Sequence, residues 1–276
     1  MVTRPIELPA ALAKALARES ERTGKAIDAI VAEALSRYLD ISVHTLFQVS
    51  TSGALVAGVF DGEVSVGSIL DHGDFGLGTF AELDGEMVVL EGQVYQVKGD
   101  GRVLAVDATA RAPFAVVTRF SPEIDFLLEH ISSLVDLEAR CDAHRQSGNI
   151  FYAIRVDGTF DTIRTRAVNP PTPGSRLVDA AKSQSEFAFS GISGTLVGLW
   201  SPGFSSAFSV PGYHLHFLSE DRRHGGHLLE LSGHSLRIRI EALTEFHLAL
   251  PESETFLKAD LSKNTADELA YAEKAH

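Results

Sequence analysis

The chain carries a single cysteine, Cys141, which excludes an intrachain disulfide framework and any cysteine-rich zinc module and suits a reducing compartment. Positive charge is in deficit. Against 24 Lys and Arg stand 37 Asp and Glu, a formal net charge of −13, which disfavours a surface built to wrap nucleic acid. No apolar run is long enough to span a bilayer. The first residues, Met1-Val-Thr-Arg-Pro-Ile-Glu7, lead into a charged helical stretch and lack the apolar core of a secretion signal. The expectation is a soluble, cytoplasmic protein. A His-Glu-x-x-His pair, the usual zinc-protease pattern, is missing, and so is a dinucleotide-binding fingerprint. Asp74-Phe75-Gly76 has no Gly-rich loop to make it a kinase, and Gly191-Ile-Ser193-Gly194 lacks the spacing of a nucleophile elbow. Both are expected to be turns.

What is present divides into two textures. Residues 1–40 are helix-rich, with apolar stripes at Leu12, Ala13, Leu16 and Ala17 and again at Ile27, Ile30, Val31, Ala34, Leu35, Tyr38 and Leu39. Thr23-Gly24-Lys25 separates them as a turn, Gly24 being able to adopt a left-handed conformation at a helix end. A short extended piece, Thr3 to Leu8, precedes them. This order resembles the ribbon-helix-helix modules of bacterial regulators, in which two chains pair their ribbons and outward ribbon residues read DNA. The outward set here would be Thr3, Pro5 and Glu7. Glu7 would face phosphates, Pro5 offers no donor, and the six basic side chains are matched by six acidic ones. Phosphate binding needs a positive excess. Dimerisation is therefore the expected use of residues 1–42, in a homodimer or higher homo-oligomer, with DNA binding disfavoured.

From residue 43 to 276 the pattern changes to short apolar or alternating runs divided by Gly, Asp and Asn, the texture of an α+β domain rich in antiparallel sheet. Expected strands include Leu46–Ser50, Thr79–Leu83, Glu86–Leu90, Gln93–Val97, Phe114–Arg119, Phe151–Val156, Thr162–Arg166, Gly194–Trp200, Tyr213–Ser219, His227–Leu231 and Ser235–Ala242. Asp84-Gly85 and Glu91-Gly92 read as hairpin turns. Residues 122–146 read as helix, with Ile124, Leu127, Leu128, Ile131, Leu134 and Leu137 on one side. Pro170-Pro171-Thr-Pro173-Gly174 breaks structure where two lobes would divide.

The chemistry is concentrated in Gly212-Tyr-His-Leu-His-Phe-Leu-Ser219 and in His227 after Gly225-Gly226. Side chains alternate faces along a strand, so His214 and His216 point the same way and can share one ion. Three neutral imidazoles with an open position describe a catalytic metal site better than a structural one. A regular hairpin turning through Asp221–Gly226 would put His227 opposite Glu220, about 13 Å from His216 at strand rise. Convergence thus needs a bulge at Gly225-Gly226 or pairing of the second strand elsewhere. His224 competes as third ligand, although it reads better as a turn residue. A rival pattern, His214-x-His216-x-x-x-Glu220, matches the core of a cupin metal motif with Glu220 as ligand. The downstream Pro-x-Gly-x-x-His of cupins is absent.

Several blocks in order, Leu70-Asp-His-Gly-Asp-Phe-Gly-Leu-Gly-Thr-Phe80, Leu83-Asp-Gly-Glu-Met87, Phe151-Tyr-Ala-Ile-Arg155, Thr165-Arg166, Pro211-Gly-Tyr-His-Leu-His-Phe217 and Gly225-Gly-His227, closely resemble the alpha-acetolactate decarboxylase family over about residues 43–276. The resemblance implies a two-lobed fold, usually dimeric, in which Zn2+ is held by His214, His216 and His227 and serves decarboxylation of 2-acetolactate to acetoin. The seven lysines form no cofactor motif, and a divalent ion is the natural electron sink for a departing carboxylate. Carried over residue by residue, Arg166 would bind the carboxylate or a developing oxyanion. Glu86 would be the acid/base group, and Thr79 would offer a hydroxyl to substrate or to Glu86. A C-terminal glutamate would also enter the site, Glu273 being the match and Glu268 its competitor. Two further readings stay open: a regulator that senses acetolactate and binds DNA through residues 1–40, and a cupin-like metalloenzyme.

Overall fold

A computed structural model describes residues 5–39, 43–172, 174–182, 184–263 and 265–273. The chain divides into two units, residues 1–43 and 44–276. The first unit contains helices α1 (Ala10–Thr23) and α2 (Ile27–Leu39). Gly24 ends α1 in the left-handed conformation, φ 70°, and its amide donates to the Ser20 carbonyl. Only glycine takes this conformation without steric cost. None of the described residues of this unit is buried, and Ile6, Leu12, Leu35, Tyr38 and Leu39 are exposed. The expected ribbon, Thr3 to Leu8, lies partly outside the described residues, and residues 5–8 carry no strand.

The second unit holds two main sheets. In chain order come β1 (Thr45–Val49), α3 (Ser52–Val56), β2 (Val64–Ser65), α4 (Val66–Leu70), β3 (Phe75–Thr79), β4 (Glu86–Leu90), β5 (Gln93–Val97) and β6 (Val103–Ala105). Then follow β7 (Arg111–Ala112), β8 (Phe114–Thr118), β9 (Ile124–Ile131), α5 (Leu134–Asp142), β10 (Phe151–Ala167), α6 (Leu177–Ala181) and β11 (Ser185–Ser201). The chain closes with β12 (Gly212–Ser219), β13 (Gly225–Leu243), β14 (Glu245–Ala249), α7 (Glu254–Lys258) and α8 (Ala266–Glu273). The first sheet has seven strands, in the order β14-β1-β8-β3-β4-β5-β6. The second runs β10-β11-β12-β13-β9, and because β10 also pairs with β13 the strands β10, β11, β12 and β13 close into a ring. Apolar side chains of both sheets, among them Leu77, Val88, Phe114, Val197 and Leu218, meet Leu177 of α6 and Leu269 of α8 in one buried cluster. A second cluster, including Tyr152, Phe160, Phe217 and Leu137, fills the ring and the space beneath α5. No helix among the described residues is long and apolar enough to cross a membrane.

Several expectations are corrected here. Residues 124–131 form strand β9, and helix is confined to α5. Ile124, Leu127, Leu128 and Ile131 satisfy helical spacing, yet Ile124, Phe126 and Leu128 satisfy period two, and the free edge of β13 decides the matter by pairing with them. Leu127 is left 75% exposed. Strand Thr79–Leu83 is displaced to β3, and residues 81–83 make a 3₁₀ turn. Gly76 and Gly78 are what allow β3 to lie against β8, since a Cβ at Gly76 would sit 2.0 Å from the Val116 carbonyl oxygen and one at Gly78 2.4 Å from that of Phe114. For the same reason Phe75-Gly76 belongs to a strand, as does Gly191–Gly194, inside β11. The pairs Phe151–Val156 with Thr162–Arg166, and His227–Leu231 with Ser235–Ala242, are single long strands, β10 and β13. Pro170–Gly174, of which Pro173 lies outside the described residues, does not divide the lobes, because the strands on either side, β10 and β11, pair with each other. The chain passes from the first sheet to the second between β8 and β9 and returns to the first at β14. Glu91-Gly92 is the two-residue turn between β4 and β5, with φ 54° and 74°.

The start of the second unit is pinned by charge. Glu241, fully buried on β13, accepts from the Ser121 amide and faces His44 Nδ1 at 3.3 Å, while Glu123 lies 3.1 Å from the same nitrogen. The hydrogen bond to Glu241 and the charge of Glu123 raise the His44 pKa above its ordinary value. A raised imidazole pKa contributes stability fully present below the unfolded value of about 6.5 and lost as pH rises through the folded one. His44 is 39% exposed, so screening holds the contribution to about 1 kcal/mol. Melting curves of wild type and His44→Ala should therefore differ most at about pH 6 and converge toward about pH 9. A constant gap across that range would remove this role for His44.

Candidate metal centre

Antiparallel registers assemble the centre. Residues directly opposite each other in a ladder point to the same face, and β12 pairs with β13 so that His216 stands opposite His227, Phe217 opposite Gly226 and Leu218 opposite Gly225. The turn is Ser219–His224, not Asp221–Gly226. The Ser219 hydroxyl donates to Asp221 and accepts from the Arg223 and His224 amides. Closing two residues earlier at the same length, this turn removes the separation expected of the later one, and the two glycines belong to the strand. Gly226, at φ 128°, has no room for a Cβ, which would meet the Arg166 carbonyl oxygen at 2.5 Å. His224 and Glu220 both stay in the turn, Glu220 exposed. Glu220 borders a polar cleft with Arg155, Asp157 and Arg222, so the cupin-like ligand set is not formed.

On the other side of β13 a register shift between Arg164 and Thr165 skips Leu229 and sets Arg166 opposite His227. Without that bulge Arg166 would stand opposite Leu228. Arg166, His227 and His216 thus form a row across three strands, with His214 two residues along on the same face of β12. The first sheet supplies Glu86 and Thr79, opposite each other on β4 and β3. Glu273 enters from the end of α8.

One ligand nitrogen from each of His214, His216 and His227 lies within 4.8 Å of the other two, and Nε2 of His214 and His216 are 3.2 Å apart. Two nitrogens each about 2.0–2.1 Å from a tetrahedral ion would lie about 3.3 Å apart. His216 Nδ1 donates to the Met87 carbonyl at 2.8 Å, which leaves Nε2 with its lone pair toward the centre. His227 Nε2 donates to the Glu273 backbone carbonyl at 3.2 Å. Its Nδ1 is consequently an acceptor, buried without a hydrogen-bond partner. Burial drives all three imidazoles toward the neutral form, His214 and His216 to about 3, with the Arg166 charge acting in the same direction. Neutral and largely buried, with His216 and His227 oriented by carbonyls, the three rings could hold a metal ion.

Arg166, 4% exposed, lies between two carboxylates, with Nη1 3.6 Å from Glu86 and Nη2 3.6 Å from Glu273. Its Nε and the Glu273 Oε2 are buried without partners. Glu86 accepts from the Val168 amide and lies 3.7 Å from His216 Nε2. Burial pushes its carboxyl up to about 7, against the pull of Arg166. Burial also raises Glu273, whose Oε2 is 3.6 Å from His227 Nδ1 and 3.7 Å from His214 Nε2. Glu268 instead pairs at the surface with Arg176. The Thr79 hydroxyl donates to the Gly85 carbonyl at 2.7 Å, so its proton is directed to the backbone and not to Glu86. A cavity of about 50 Å³ lies between these groups and an apolar wall that includes Leu55, Phe114, Leu177, Leu269 and Ala272. The carbonyl of Met87, the amide of Val168 and this wall escape sequence reasoning, because backbone polarity and wall residues leave no motif.

Fold and centre together define a two-sheet α+β protein with a three-histidine site that could bind a metal, flanked by two carboxylates and an arginine. The profile of one family, alpha-acetolactate decarboxylase, matches residues 46–263, and the chain belongs to that family. It is 42% identical over 231 residues to the alpha-acetolactate decarboxylase of Methylococcus capsulatus, covering 83% of this chain and 89% of the relative. With the enzyme of the same name from Methanosarcina mazei it is 43% identical over 230 residues, covering 83% and 80%. The crystal structure of alpha-acetolactate decarboxylase from Bacillus subtilis strain 168 superposes with a TM-score of 0.81 at 34% identity, covering 84% of this chain and 100% of that one.

Proposed function

We propose that this chain is a carboxy-lyase that converts 2-acetolactate to acetoin and carbon dioxide, with Zn2+ held by His214, His216 and His227. The observation that carries the reading is the convergence of three neutral imidazoles beside a buried arginine and two carboxylates. Zinc, when bound, would supply Lewis-acid polarisation of the substrate ketone. Arg166 offers a planar fork of donors to the substrate carboxylate, and its unpartnered Nε fits that task. When the bond to the carboxylate breaks, its electron pair passes toward the ketone oxygen and the former carboxylate-bearing carbon must then gain a proton. Glu86, raised to about 7 by burial, is suited to give and take protons near neutrality. Glu273, between Arg166 and the histidines, holds the arginine fork in place. Thr79 can still accept a hydrogen bond through its oxygen. The apolar wall excludes water, which strengthens each of these electrostatic contacts.

The test is acetoin formation from 2-acetolactate by purified protein, before and after chelation and zinc repletion, with metal counted per chain. Activity should fall on chelation and return with zinc. Normal turnover by metal-free protein would end this reading.

The N-terminal unit is assigned to self-association. It leaves large apolar side chains exposed and buries none among its described residues, a state that a second copy would relieve. Its balanced charge supports this use over DNA binding. Sedimentation of the full chain should report a dimer or larger species, and a monomer at all concentrations would overturn the assignment.

A further inference from the structure

We propose that α8 is a clasp: its docking positions His227 and Glu273, so the helix must part from the body when small molecules exchange, and a bound ion in turn holds it down. The inference rests on the metal reading above. Contacts of several kinds hold the helix, among them the 3.6 Å pair of Glu273 with Arg166. Leu269 and Ala272 are buried in the cluster shared by both sheets and α6. Glu268 pairs with Arg176 at 2.7 Å across the surface. At the last turn the Glu273 carbonyl, one of the orphan acceptors of a helix end, takes the proton of His227 Nε2. That bond selects the tautomer whose Nδ1 faces the centre, so the conformation of α8 and the ligand state of His227 are coupled. The cavity inside the clasp is about 50 Å³, space for a water or two and too little for an acid of acetolactate's size. On the other flank of α8 lies a cavity of about 530 Å³ that shares Val210, His227, Leu269 and Glu273 with the first. The helix is the wall between them. An eight-residue helix is marginal by itself, and elements held by few buried side chains open first. Its outward movement joins the two spaces without disturbing either sheet.

Linkage makes the coupling reciprocal: if docking of α8 strengthens metal binding, metal strengthens docking by the same factor. Zinc-loaded full-length protein is challenged with excess chelator, and hydrogen exchange of α8 is followed with and without zinc. Leu269→Ala should release zinc about 10- to 100-fold faster than wild type, the range for groups that orient a ligand. Leu137→Ala, buried beneath α5 in the other cluster, should release it at the wild-type rate. Arg176→Ala, which cuts only the surface pair, should give a smaller acceleration that Arg176→Lys restores. Zinc should slow exchange in α8 and leave α5 unchanged. Equal release from Leu269→Ala and Leu137→Ala, or α8 exchange indifferent to zinc, overturns the clasp alone. A wild-type chain that takes up no zinc overturns both the clasp and the metal reading.

Discussion

His216→Ala is expected to abolish stoichiometric metal binding and to lower decarboxylation about 10³-fold or more, the loss of several kcal/mol of transition-state stabilisation. His216 is the ring with least freedom. It is 1% exposed, its Nδ1 is tied to Met87 in the first sheet, and its Nε2 lies 3.2 Å from that of His214. Alanine removes a ligand and leaves the Met87 carbonyl without this donor, so melting temperature should also fall modestly. Metal analysis beside single-turnover rates distinguishes the two effects. Glu220→Ala is the control, because Glu220 lies outside the cluster and should keep wild-type metal content. Full activity in a metal-free His216→Ala protein would remove the ion from the chemistry.

Glu86→Gln should lower kcat about 10²- to 10⁴-fold, the usual worth of a positioned proton carrier, while metal content stays at the wild-type level. The amide is nearly isosteric and can still accept from the Val168 amide, but it cannot deliver or take up a proton. Removing the carboxylate also removes the cost of burying its charge, which outweighs the pull of Arg166. The folded chain should therefore be no less stable than wild type. A kcat within about threefold of wild type would transfer the proton role elsewhere, and Glu273→Gln is then the variant to compare.

Local rules reached much of this. The His-x-His pair followed from the period of a strand, and Glu91-Gly92 from the left-handed demand of a tight hairpin. Gly24 likewise ends α1 where a left-handed residue is needed. Where two periods coexist, local rules failed. Ile124 and Leu128 fit either period until β13 offers an edge. Gly76, expected in a turn, lies in β3 because the demand for it comes from β8, a strand some forty residues away in sequence. Glu273 and Glu268 are indistinguishable in a featureless tail. Only the docking of α8 separates them, one beside the histidines and the other paired with Arg176 at the surface.

Residue chemistry and spacing by themselves determined the His-x-His pair and the lack of a cysteine set or cofactor motif to compete, whereas Arg166, Glu86 and Glu273 stood out only through the family resemblance. Spacing also determined the change of texture near residue 43, since helical and strand periods are local properties. Tertiary structure alone decided that the groups meet. The six-residue turn after Leu218 sets His227 opposite His216, and the bulge at Leu229 sets Arg166 opposite His227. A shift of one residue in either ladder would turn a ligand to the other face. Register is a property of paired strands, and no single segment contains it.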